Sequence, residues 1–202
     1  MSRIESESKR MGQLVEDLLT LARIDERRES KLAPFDLFNL AVDATNDAYA
    51  TAPDRAVSLV GLNEEVAPTS ATVLGDESRL RQVVANLLTN AMRYTPDGSP
   101  LEIAVGVREE VHGFPLSVLE VRDHGPGIHG EDRGRVFERF YRTDASRSRE
   151  TGGTGLGLSI VAAIIEQHEG RIHIEETEGG GATFVISLPF YPPPVSDDQL
   201  MK

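Results

Sequence analysis

Cysteine is absent from the 202 residues and lysine nearly so, with three lysines against eighteen arginines. Without thiols the chain forms neither a disulfide nor a thiolate metal site, which fits a reducing compartment. Lys9, Lys31 and Lys202 follow no glycine-rich loop, and this excludes a Walker A site. No apolar run approaches the roughly 18 residues that cross a bilayer, and no signal-peptide pattern opens the chain. A soluble, cytoplasmic protein is therefore expected. A concentrated basic surface is also missing: the net charge is -12, which argues against a nucleic-acid partner. The hydrophobic share of 39% is modest and suffices for one core, so the length allows one ordinary domain with an appendage.

The basic residues that are present sit unevenly. Arg133, Arg135, Arg139, Arg142, Arg147 and Arg149 fall between Glu131 and Glu150, where they outnumber the acids. A solvated, salt-bridged loop and a surface that meets a polyphosphate both use such a cluster.

Periodicity divides the rest. Over 3–28, Met11, Leu14, Val15, Leu18, Leu19 and Ala22 recur at helical spacing and form a stripe that needs a partner helix. The charged run Asp25 to Lys31 and then Pro34 mark a boundary, so 1–33 reads as an appendage and 34–190 as the main domain. Asp36 can cap a helix over about 36–50, and strand-like stretches lie near 57–62 and 70–74. Asp76 caps a strong helix over 77–93, stopped by Pro96-Asp97-Gly98. The stretches 101–109 and 116–122 flank Gly113 and Pro115 as a hairpin. From Asp123 to Gly153 the chain is polar and rich in Gly and Arg, a loop long enough to be functional. A helix over 154–168 and strands over 171–176 and 182–188 follow, and the proline-rich tail 191–202 reads as disordered. Strands alternating with helices give an α/β (α+β) two-layer sandwich: one mixed sheet, one helical layer.

Three constellations carry chemistry. On helix 77–93, Gln82, Asn86, Asn90 and Arg93 lie within about 80° of arc, away from the apolar face. Two asparagines on one stripe of a helix want a reason: a solvated polar face, or amide oxygens that ligate a hard cation while Arg93 meets phosphate. Asp123-His-Gly125-Pro-Gly127-Ile128 ends a strand on an acid and turns on glycines. It is either an Asx-Gly turn or a buried acceptor for the 6-amino group of adenine. Gly125, Gly127 and Gly130 spell a dinucleotide fingerprint, but the Glu131-to-Arg135 segment after them starts no buried apolar helix. Gly153-Thr154-Gly155-Leu156-Gly157-Leu158 opens directly into a helix, where free amides make a phosphate site or a flexible hinge.

Together these residues resemble the ATP-binding domain of sensor histidine kinases, related to the gyrase and heat-shock chaperone ATPases. Asn86-Leu-Leu-Thr-Asn90-Ala-Met-Arg93-Tyr94 is similar to the N-box, Asp123 to Ile128 to the G1 box, and Phe137-Glu-Arg-Phe140-Tyr-Arg142 to the F-box. Gly153 to Leu158 is similar to the G2 box, and Gly180-Gly181-Ala-Thr183-Phe184 completes the set over about 36–188. The resemblance implies the Bergerat-type sandwich and an ATP and Mg²⁺ site. In it Asn90 holds the metal with Asn86 beside it, Arg93 and Arg142 meet phosphate, and Tyr94 packs on the base. Asp123 reads the adenine amino group, and Ile128 and Thr183 finish the pocket. Residues 129–151 form a mobile lid anchored by Phe137 and Phe140.

The resemblance also implies phosphoryl transfer to a histidine. In the gyrase-like ATPases a glutamate four residues before the metal asparagine activates water. Asn86 takes that place here and is no base near neutral pH, so the kinase is favoured over the hydrolase. His112, His124, His129, His168 and His173 are the available histidines. Only His168-Glu-Gly-Arg171 imitates the acceptor motif, and it lacks the following Thr-Pro and closes a helix rather than starting one. Met11 to Asp25 resembles the second helix of the dimerisation domain, which implies that the acceptor helix lies upstream and that this chain does not phosphorylate itself. Half a bundle leaves α-helical apolar surface uncovered, so this helix is expected to be disordered, fold back or self-associate. The implied partners are the chain's own dimerisation domain and then a response regulator. The implied parent is a homodimeric membrane sensor, while this portion is expected to be monomeric. A gyrase-like ATPase and a catalytically silent nucleotide-binding module are the competing readings.

Overall fold

The computed structural model describes residues 3–25, 31–63, 66–109, 113–143 and 153–192. In chain order the elements are α1 (Arg3–Asp25), β1 (Ala33–Asp36), α2 (Leu37–Thr51), β2 (Val57–Val60), β3 (Thr72–Gly75) and α3 (Glu77–Tyr94). There follow β4 (Leu101–Arg108), β5 (Leu116–Asp123), α4 (Gly130–Arg133), a 3₁₀ turn (Arg135–Phe137), α5 (Gly157–Gln167), β6 (Arg171–Glu176) and β7 (Ala182–Pro189). A five-stranded sheet has the order β2-β4-β5-β7-β6, parallel only between β2 and β4. Helices α2, α3 and α5 cover one face, which is the expected two-layer sandwich.

Strand alternation builds the interface between the layers. Leu101, Ile103 and Val105 of β4, Leu119 and Val121 of β5, and Phe184, Ile186 and Leu188 of β7 point toward the helices and are buried. Leu80, Val83, Val84, Leu87, Leu88 and Ala91 of α3 meet them. On the other face, buried Glu120 accepts from Arg108 at 2.9 Å and from Arg122 at 2.7 Å, so the acid leaves water fully paired.

Both expected caps form. Asp76 accepts from the Arg79 amide at 3.2 Å, and Asp36 accepts from Phe38 N at 2.9 Å and Ala71 N at 2.8 Å. Burial raises the Asp36 carboxyl, but bonds from Ser70, Ala71 and Phe38 outweigh it and hold the group below the usual carboxylate range.

Three expectations need correction. Residues 33–36, for which the sequence pattern predicts no strand, form β1, which pairs antiparallel with β3 as a second, two-stranded sheet. A proline is tolerated in so short an edge strand because the missing N–H need not face a neighbour. Helix α5 starts at Gly157 rather than 154, since Gly155 takes a left-handed φ of +76° that no helix contains. The face of α1 that docks is not the apolar stripe. Asp17, Leu21 and Ile24 are buried against α5, with Leu14 partly so, while Met11, Val15, Leu18 and Leu19 remain exposed.

Candidate functional site

Asp123 is the last residue of β5 and only 7% exposed. Its Oδ1 accepts from the amides of Gly125 at 3.0 Å and Ala182 at 3.2 Å. Burial pushes its carboxyl up; those amides, His124 and Arg55 pull it back only in part, and it stays above the usual range. Both amides engage one oxygen, so Oδ2 is the acceptor available to a donor such as an exocyclic amine.

The surrounding backbone is too close for side chains. A Cβ on Gly181, whose φ is +125°, would stand 1.9 Å from the Asp123 carbonyl oxygen. One on Gly125 would stand 2.9 Å from Thr95 Cγ2, and one on Gly127 3.1 Å from Gly181 O. Thr183, opposite Arg122 on β7, is buried and bonded to the Thr177 hydroxyl at 2.9 Å. Ile128 packs half-buried on the core. Gly130 merely opens the four-residue α4, and β5 is antiparallel to both its neighbours, so the dinucleotide-fold reading is excluded.

Helix α3 joins this strand end to the glycine loop. Asn86 and Asn90 are half-buried, as is Tyr94, while Arg93 is exposed. Asn86 Nδ2 donates to Gly157 O at 3.4 Å. Arg93 lies over Gly153, where an added Cβ would stand 2.4 Å from its Nη1. The helix ends at Thr95, whose hydroxyl donates to Ala91 O at 2.7 Å and accepts from the buried Arg55 guanidinium, which also donates to Pro96 O at 3.0 Å. Arg55 went unnoticed in the sequence because it sits in a short loop outside every motif. Only its place here, where its charge also favours the ionised form of Asp123, gives it a role.

In the glycine loop, Gly155 O accepts from Phe140 N at 3.0 Å, and Gly155 has no room for a Cβ, which would meet Phe140 Cα at 3.1 Å. Leu156 is fully buried and Leu158 packs on the core, so only their backbones belong to the site. The Thr154 hydroxyl donates to Asp17 Oδ2 at 2.7 Å, a partner with no sequence signal. The first amides of α5 face the loop without helical partners.

The segment after β5 contains α4 and the 3₁₀ turn. Tyr141 bonds Asp132 through its hydroxyl, and Arg135 stacks 4.4 Å from its ring centroid. Val136 is buried and Phe137 packs on the core. Phe140 is not the second anchor: with φ of +63° the chain turns there and leaves the ring 59% exposed. Arg142 is half-buried. Arg147, Arg149, Thr151, Gly152, His112 and the tail from 193 onward lie outside the described residues. His168 is a structural residue: Nδ1 donates to Ile164 O at 2.7 Å while Nε2 accepts from Asp76 N at 2.9 Å.

Asn86 and Arg93 of α3 thus meet the glycine loop at Gly157 and Gly153, and Asp123 reaches the C-terminal end of the same helix through Gly125, which lies against Thr95. The donor set suits Mg²⁺ bound through a neutral amide oxygen and the ligand's own phosphates. Among the described residues no three His, Cys, Asp or Glu converge on a common point.

Residues 75–192 match the histidine kinase-, DNA gyrase B- and HSP90-like ATPase family. Over 190 residues, 94% of this chain and 38% of the relative, the sequence is 43% identical to "Probable sensor histidine kinase TcrY" of Mycobacterium tuberculosis. It is 36% identical to SenX3 of Mycolicibacterium smegmatis over 95% of this chain and 48% of that protein. The chain spans less than half the length of these curated relatives. The mycobacterial sensor histidine kinase MprB superposes with a TM-score of 0.67 at 27% identity, covering 80% of this chain and 100% of MprB. Full-length ShkA in complex with AMPPNP superposes at 0.71 and 29% identity, over 90% of this chain and 36% of ShkA. The chain therefore belongs to the histidine kinase-, DNA gyrase B- and HSP90-like ATPase family, and TcrY, SenX3 and MprB, which it resembles, are histidine kinases.

Proposed function

We propose that this domain binds Mg-ATP and gives the γ-phosphoryl group to a histidine of its dimerisation domain, from which a response regulator receives it. The observation that carries the nucleotide part is the buried Asp123 carboxylate, closed in by glycines at a strand end and offering one oxygen to the adenine amino group. Asn90, with Asn86 beside it, would hold Mg²⁺. The ion would neutralise phosphate charge, and Arg93, Arg142 and the amides of Gly153, Thr154, Gly155 and Gly157 would bind the remaining oxygens. Tyr94, Ile128 and Thr183 line the base.

Transfer makes one nitrogen–phosphorus bond to a neutral imidazole and breaks the bond to the β-phosphate oxygen, so ADP leaves and the imidazole loses its N–H proton. Asn86 takes no proton from water at neutral pH, which preserves ATP for the protein acceptor. We infer that the acceptor is not among residues 1–202: His168 has both ring nitrogens engaged, and no histidine of the sequence stands in the complete acceptor motif with its Thr-Pro. The parent is proposed to be a homodimeric membrane sensor with this portion in the cytoplasm, monomeric by itself and without a nucleic-acid partner.

Calorimetry with Mg-ATP tests the site. Asp123→Ala is expected to weaken binding by about 1.5–3 kcal/mol, the range of a hydrogen bond to a charged group, and Asn90→Ala to weaken it only when Mg²⁺ is present. Unchanged affinity in Asp123→Ala removes the adenine assignment. Labelled ATP with a histidine-bearing helical hairpin supplied separately tests the transfer, and absence of acid-labile label on that histidine refutes the kinase reading.

A further inference from the structure

Helix α1 reaches the glycine loop through one carboxylate. Asp17 shares the docking face of α1 with Leu21 and Ile24 and is 9% exposed. Its Oδ1 accepts from Gln13 Nε2 at 2.8 Å and its Oδ2 from Thr154 Oγ1 at 2.7 Å. The Thr154 oxygen in turn accepts from Leu156 N at 3.3 Å. A hydroxyl has a single proton, and one committed to Asp17 is not available to a phosphate oxygen. The Leu156 amide, at the entrance to α5, is likewise turned onto Thr154. The loop therefore commits two donors to α1 or its relay, and takes a negative charge where a helix N-terminus favours an anion.

Docking alone does not require an acid at this position. Leu21 and Ile24 bury apolar surface against α5, and Gln167 Nε2 donates to Ile24 O at 2.7 Å. A buried carboxylate costs free energy that its hydrogen bonds must offset, so an acid here wants a further reason.

We propose that Asp17 is an internal competitor for the nucleotide's polyphosphate. Docking of α1 through Asp17 and binding of phosphates at Gly153 to Gly157 oppose each other. The position of α1 then sets the affinity for a triphosphate, and by reciprocity the triphosphate loosens α1. Asp123, Gly125 and Thr183, which would meet the adenine, lie outside this coupling, so a ligand without phosphates is indifferent to it. The inference rests on the nucleotide reading given above.

Calorimetry on the whole chain separates the two. The probes are Mg-AMPPNP and adenosine, the proteins wild type and Asp17→Asn, which keeps the volume and an acceptor oxygen but not the charge. The variant is expected to bind Mg-AMPPNP about tenfold more tightly, within the usual range of coupling between sites, and adenosine equally. Equal or weaker Mg-AMPPNP binding, or an equal gain for adenosine, overturns the proposal. Failure of the wild type to bind either probe instead overturns the nucleotide reading. Should the variant not fold, hydrogen exchange on the wild type decides: Mg-AMPPNP is expected to speed exchange across residues 13–24, and unchanged or slower exchange overturns the coupling.

Discussion

Asp123 sets function against stability at a single atom pair. Its burial raises the carboxyl above the ordinary value, so the folded chain binds that proton more tightly than the unfolded chain does. The favourable contribution is complete below the unfolded value of 3.8 and disappears as pH rises through the folded one. At neutral pH the ionised, desolvated group is thus a cost to the free protein. Asp123→Asn keeps an oxygen for the Gly125 and Ala182 amides and removes the charge. The variant is expected to melt at a higher temperature than wild type near neutral pH, with the gap closing as acid protonates the wild-type group. It should nevertheless bind adenine nucleotides more weakly, because an amide is a poorer acceptor than a carboxylate. Melting curves across pH check this; a variant less stable than wild type at neutrality would mean that the buried charge is offset within the free fold.

Among the elements, α3 and α5 define the site through the C-terminal half of α3 and the start of α5, and His168 ties together the opposite ends of the two helices. It closes α5 through Ile164 O and satisfies the first amide of the α3 cap at Asp76, with Gly75 leaving room for the ring. His168→Ala should cost about 1–3 kcal/mol, the range for leaving buried polar groups unpaired, measured by urea unfolding; a loss near zero would show that water replaces the ring. These elements also show what the sequence could tell. Helix α3 was legible because its apolar spacing, the Asp76 cap and the Pro96 stop all agree, and the motif residues it carries stood out with it. The hairpin of β4 and β5 was legible from its turn. Strand β1 was not: four residues with a proline carry no period, and only pairing with β3 makes them a strand. The start of α5 was misplaced because propensity does not show that Gly155 turns left-handed under Phe140. Arg55 and Asp17 were missed for a related reason. A polar residue whose partner is 40 or 137 positions away leaves no local trace.

At the scale of the whole molecule, α1 is the element whose removal separates stability from binding. Residues 1–31 hold seven acidic and seven basic residues, so a chain beginning at Leu32 keeps the full net charge of -12. Any change in its affinity for an anion must come from local contacts rather than the overall field. The truncation exposes the α5 surface that Leu21 and Ile24 cover. Full burial of such side chains contributes about 1.5–3 kcal/mol each, but ordering a helix that is marginal alone offsets part of it. A net loss of about 1–3 kcal/mol in unfolding free energy is therefore expected, with β1 to β7 and α2 to α5 still folded. Nucleotide binding should move the other way, with Mg-AMPPNP bound several-fold more tightly because the Thr154 hydroxyl regains its proton for a phosphate oxygen and the Asp17 charge is gone. A chain that lost stability and affinity together would identify α1 as a support for the glycine loop. Opposite signs, read from denaturation and calorimetry on the same preparation, require that helix and polyphosphate contend for one place.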